Sequence, residues 1–99
     1  MSYELLVGLN VTDEKLYTEY RKAITPILET YGGGFRYDFK ISEVLKNSGN
    51  QPINRVFTIF FRDQKAKEDF FNNPQYLIEK QRLYSSSVDA TTVISNYEY

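Results

Sequence analysis

The chain has no histidine, no cysteine and no tryptophan among its 99 residues. Without histidine there is no imidazole general base, no Ser-His or Cys-His pair, and no His ligand for haem or zinc. Without cysteine there is neither a disulfide framework nor a thiol nucleophile. An excess of positive charge is missing too. The 12 Lys and Arg against 13 Asp and Glu leave a net charge of -1 and a pI near 5.4, whereas a nucleic-acid protein carries a basic footprint. No apolar run approaches the ~20 residues of a membrane span. The first residues hold an early carboxylate, Glu4, and no basic segment, unlike a secretory signal. These absences lead to the expectation of a soluble, cytoplasmic chain with no cofactor, no nucleic-acid partner and no membrane partner. Any chemistry must come from carboxylates, Lys, Arg, hydroxyls, amides or the backbone. A carboxylate-only metal site has no support either, because no run shows calcium-loop spacing.

What is present in excess is phenol and phenyl. Nine Tyr and seven Phe make 16% of the chain aromatic, and Tyr, apolar in body and polar at its tip, suits interfaces and half-wet clefts. A single domain spanning residues 1–99 is expected. A chain this short buries only about two thirds of the surface its unfolded form exposes, so association with a second copy is one route to greater stability.

Periodicity divides the chain into six elements. Tyr3, Leu5, Val7, Leu9 and Val11 alternate as a half-buried strand. Thr12 is the expected cap of the following helix, where Leu16, Tyr20, Ala23, Ile24, Ile27, Leu28 and Tyr31 recur at three- and four-residue steps. Pro26 lies inside that pattern and predicts a kink or break near residues 22–25. Gly32, Gly33 and Gly34 supply a helix end and a tight turn. A second strand follows, with Phe35, Tyr37, Phe39 and Ile41 on one face and Arg36, Asp38, Lys40 and Ser42 on the other. The apolar set is expected beneath the helices. After a turn at 47–52 comes a third strand over 54–61, apolar on both faces. Asp63 and Asn73-Pro74 cap two helical pieces, and Val88 to Tyr97 reads as a last strand.

Strand, helix, strand, strand, helix, strand is the order of a ferredoxin-like α+β sandwich: a four-stranded antiparallel sheet with helices on one face. The other face must be polar or meet a partner.

The stretch Tyr20 to Phe39, with Pro26 and Tyr31-Gly32-Gly33, resembles the DUF1330 family. So do Pro52 to Phe57, Ala66, Phe70-Phe71, Asn73 to Tyr76 and Arg82 in their order and spacing. The resemblance covers nearly the whole chain and implies a dimeric α/β barrel, in which two ferredoxin-like protomers face each other sheet to sheet. Many members of that family carry Arg where this chain has Gly34, and Arg36 is placed to substitute for it. The superfamily includes monooxygenases, lactone isomerases and haem proteins, but fold analogy alone does not transfer an activity.

Five residues are candidates for ligand binding; no catalytic residue is assigned. Arg36 and Arg82 offer planar forks to a carboxylate, the plainer alternative being ion pairs such as Arg82 with Glu79. Asp38 would be a base only if burial raised its pKa, and the cations beside it argue for the reverse. Tyr37 and Tyr84 are potential donors to a ligand oxygen. The expected function is binding of a small aromatic or carboxylated molecule in a cleft of a homodimer, with or without cofactor-free chemistry. The alternatives are a non-catalytic homodimeric module and a ligand-sensing regulatory domain.

Overall fold

The computed structural model describes residues 2–99. Strand β1 (Tyr3–Val11) leads into helix α1 (Glu14–Thr30), then β2 (Gly34–Lys40) and β3 (Arg55–Phe61). Two short helices, α2 (Gln64–Phe71) and α3 (Pro74–Glu79), run into a π-helical turn at Lys80–Tyr84 before β4 (Val88–Glu98). The sheet order is β2-β3-β1-β4 with every neighbour antiparallel. This is the ferredoxin-like arrangement expected from the sequence, and within one chain the sheet stays open.

Helix α1 forms because its apolar residues fall on one stripe. Tyr17, Tyr20, Ile24 and Leu28 are buried against the sheet, each worth roughly 1.5–3 kcal/mol of burial. Its cap is Asp13, whose carboxylate accepts from the Leu16 N–H at 3.0 Å, one residue beyond the expected Thr12. Thr12 is engaged elsewhere: its N–H donates to the Ser87 carbonyl at 2.8 Å, tying the start of the helix to the turn before β4. The break expected near residues 22–25 does not occur, and α1 runs unbroken through Pro26. Pro26 and Lys22 both lie on the exposed side, so the carbonyl freed by the missing N–H is open to water. Gly32, at φ 68°, ends the helix. The N–H groups of Gly32 and Gly33 return to the carbonyls of Glu29 and Leu28, which is a Schellman closure. Gly33 is needed for a second reason: a Cβ there would lie 2.6 Å from the Phe60 carbonyl oxygen.

Leu5, Val7, Leu9 and Val11 of β1 share the helix-covered face with Phe57, Ile59 and Phe61 of β3. Beneath α2 and α3, Phe70 is fully closed off, with ring centroids of Phe61, Phe71 and Tyr76 within 5.6 Å. Asp63 and Asn73 cap these helices as the sequence indicates.

Strand β2 departs from expectation. A β-bulge between Phe35 and Tyr37 leaves Arg36 unpaired in the ladder. Two adjacent residues at a bulge point the same way, so the alternation inverts past it. Phe35 stays on the helix side opposite Ile59, whereas Tyr37 pairs with Thr58 and Phe39 with Val56 on the open face. Tyr37 and Phe39 are thus more than half exposed, not beneath the helices, and their rings stack at 6.0 Å. Asp38 and Lys40 turn to the helix side instead. The bulge is stable because its displaced Tyr37 N–H donates to the Thr58 Oγ1 at 3.0 Å.

Candidate functional site

Between α1, the α3 and π-turn segment, and the covered sheet face lies a cavity of about 260 Å³. Its floor is aliphatic, from Leu5, Val7 and Ile59, and its walls carry Phe35, Phe57 and Phe70. Four phenols, Tyr17, Tyr20, Tyr76 and Tyr84, line it, with Arg21 and Lys80 as its only charged groups. The π turn sets one wall. The Ser85 N–H reaches back to the Lys80 carbonyl at 3.1 Å, a five-residue step that widens the turn. Lys80 and Tyr84 border the cavity while Arg82 points away.

Burial raises the pKa of all four phenols. For Tyr20 the neighbouring Tyr76 hydroxyl adds to that effect; for Tyr17 the Arg21 charge opposes it without cancelling it. All four are therefore neutral at physiological pH and act as O–H groups, not phenolates. The Tyr20 hydroxyl donates to the Tyr76 oxygen at 3.2 Å, which leaves the Tyr76 hydrogen free. Tyr84 shares a short hydrogen bond with Thr91.

At the β2 side of the cavity an ion cluster joins three elements. Asp38 accepts two bonds from Arg55, at 2.8 and 2.9 Å, and one from Arg21 at 3.2 Å. Glu14 lies 3.6 Å from Arg55 and 3.7 Å from Lys40. Burial works to raise the Asp38 pKa, but the Arg55 hydrogen bonds and the Arg21 and Arg55 charges outweigh it and hold it below the usual carboxylate value. A carboxylate whose folded pKa is depressed adds stability above its unfolded pKa, and that stability is lost as pH falls through the folded value. The urea midpoint should therefore drop as pH falls below about 4, and Asp38→Asn should flatten that part of the profile. Equal acid sensitivity in both proteins would remove Asp38 from the account.

The five residues singled out from the sequence do not converge on one place. Tyr84 lines the cavity, and Asp38 anchors Arg21 at its edge. Arg36 lies on the open sheet face, where its Nε donates to the buried Glu4 carboxylate at 2.7 Å and its guanidinium stacks 3.7 Å from the Tyr99 ring. Tyr97 donates to the other Glu4 oxygen. Gly34 opens on the same face beneath the Phe60 ring. Tyr37 stands exposed on that face, and Arg82 pairs with Glu79 at 2.7 Å on the surface. Arg21 and Lys80 were missed. Arg21 had a signal: it falls on the inner stripe of α1 with Tyr17, Ile24 and Leu28, a position normally apolar. Among the described residues, no group of three or more carboxylates could hold a metal ion, and no helix is long and apolar enough to cross a membrane.

No curated protein matches this chain. Solved structures do, at identities that establish the fold alone. A protein of unknown function from Rhodopseudomonas palustris superposes with a TM-score of 0.82 at 14% identity, covering 99% of this chain and 82% of that one. A dabb family protein with a ferredoxin-like fold from Mesorhizobium loti gives 0.63 at 14% identity, covering 99% and 96%. A dimeric protein of unknown function with a ferredoxin-like fold from Bacteroides fragilis gives 0.62 at 11% identity, again covering 99% and 96%. The family model for the domain of unknown function DUF1330 matches residues 3–97, and the chain belongs to the DUF1330 family.

Proposed function

We propose that this protein binds a small organic molecule in the cavity between its sheet and helices. The observation that carries this reading is the cavity itself: about 260 Å³ of mostly aromatic and aliphatic wall with a few converging polar groups, the usual make-up of a ligand site. A module built only for rigidity would fill that space with its own side chains. Binding is better supported than catalysis, because the lining holds no carboxylate or imidazole that could act as a base and its phenols are held neutral. Self-association through the open sheet face belongs to the same reading. Tyr37 and Phe39 stand on that face, each more than half exposed, and the Bacteroides fragilis neighbour is dimeric.

Ligand-detected NMR with a library of aromatic fragments tests the cavity. Fragments should bind the wild type and lose about tenfold or more in affinity to Ile24→Phe, which projects an extra ring volume into the space. Binding unaffected by that substitution would place the fragments elsewhere and remove the reading.

A further inference from the structure

The three nitrogens of the Arg21 guanidinium are unequally satisfied. Nε donates to the Tyr17 hydroxyl at 2.7 Å, and Nη1 to Asp38 at 3.2 Å. Nη2 has no partner. It is the one buried side-chain nitrogen or oxygen among the described residues in that condition. A charged donor shut away from water without an acceptor is among the costlier arrangements in a protein, and it calls for an explanation. Aromatic rings offset part of that cost: the guanidinium carbon lies 3.9 Å from the Phe35 centroid and 4.6 Å from that of Phe57. Both rings line the cavity, as does Arg21.

The local charges do not cancel. Arg21, Arg55 and Lys40 share two carboxylates, Asp38 and Glu14, which leaves the cluster one positive charge in excess. Lys80 adds a second cation to the lining, and no Asp or Glu side chain lines the cavity at all. The charged groups that face the space are therefore donors only, the guanidinium and an ammonium, and the hydroxyls beside them can donate as well as accept. A group made only of acceptors, with a negative charge, complements that set.

Resting on the proposed binding role of the cavity, we infer that its ligand is an anion, a carboxylate with an aromatic-sized apolar body whose charged oxygen takes the free Nη2 donor of Arg21. Nη2 is shut off from solvent in the unliganded protein, so its capture by a ligand oxygen requires the lining around it to shift locally. Asp38, held by Arg55 as well as Arg21, is a positioning residue. It fixes the guanidinium plane while leaving one of its edges unspent.

The test titrates the wild-type protein with benzoate and 1-naphthoate and with their neutral isosteres benzamide and 1-naphthamide. Affinity is read by calorimetry, and the Arg21 Nε–H signal is followed by NMR. The acids should bind at least about tenfold more tightly than the amides and shift the Arg21 signal. Arg21→Gln should abolish the preference of the site for acids over amides, and Lys80→Gln should reduce it. Should Arg21→Gln fail to fold, the wild-type signal alone decides. Acids and amides binding equally, with Arg21 unmoved, would overturn the anionic assignment and leave the cavity reading standing. Binding by none of the four would overturn both.

Discussion

Phe70→Ala should lower the unfolding free energy by about 4 kcal/mol and the melting temperature by roughly 20 °C. The ring is completely closed off, and four others surround it, Phe61, Phe71, Tyr76 and Tyr31, with centroids between 4.5 and 6.2 Å away. It is where α2 and α3 meet the sheet, so its removal leaves a hole that two short helices, of 8 and 6 residues, have little means to close. Domains of this size have about 5–15 kcal/mol in total, so the variant should sit near the edge of folding. Urea melts check the value, with Leu45→Ala as a control: Leu45 is 86% exposed and should change little. A loss for Phe70→Ala under about 1 kcal/mol would mean that the aromatic cluster is not what anchors these helices. Phe70 also walls the cavity, so the variant should widen the site as well as weaken the fold.

Light scattering of the 11.6 kDa chain should return twice the monomer mass across a wide dilution range. The pair Tyr37→Arg with Phe39→Glu should run as a monomer at concentrations where the wild type is paired, with affinity reduced by a factor of at least about 100. Large aromatic rings buried on association are among the residues whose truncation costs most in such interfaces. Both lie across the sheet from the cavity, so the monomeric variant should still take up the fragments that occupy it. A wild type that is monomeric throughout the range would remove self-association from the proposal. It would also leave the stacked Tyr37 and Phe39 rings as an ordinary exposed pair.

Most of the architecture was readable because burial writes itself as period. The alternation of Leu5, Val7, Leu9 and Val11, the stripe on α1, and the Asp63 and Asn73 caps each have a local cause, and each appears where the pattern puts it. The errors have non-local causes. Pro26 looks disruptive on a one-dimensional reading, and it is tolerated because the carbonyl it frees faces water. The regular series Phe35, Tyr37, Phe39 and Ile41 suggests one face. Its parity depends on a partner, Thr58, a polar residue set among the apolar side chains of β3, which receives the displaced Tyr37 N–H. The binding candidates fared as their neighbours dictated. Arg36 and Arg82 each found a carboxylate within 2.7 Å. Arg21, hidden within a helical stripe, is the one that kept a buried donor without a partner among the described residues. Residue type identifies groups able to bind an anion, but only the packed structure distinguishes those already engaged.

The extra residue in β2 also bears on how this chain can vary over time. Substitutions on that strand act on one layer at a time, whereas deleting Arg36 would restore strict alternation from Phe35 onward. Phe35 opposite Ile59 and Tyr37 opposite Thr58 would become consecutive pairs, so the two aromatic rings would stay on the open face and Asp38 would stay beside Arg21 and Arg55; what would be lost is the Arg36 guanidinium beside Glu4. A one-residue length change at the bulge therefore leaves both surfaces in place, whereas the same change elsewhere in the strand, with no bulge to absorb it, would exchange them.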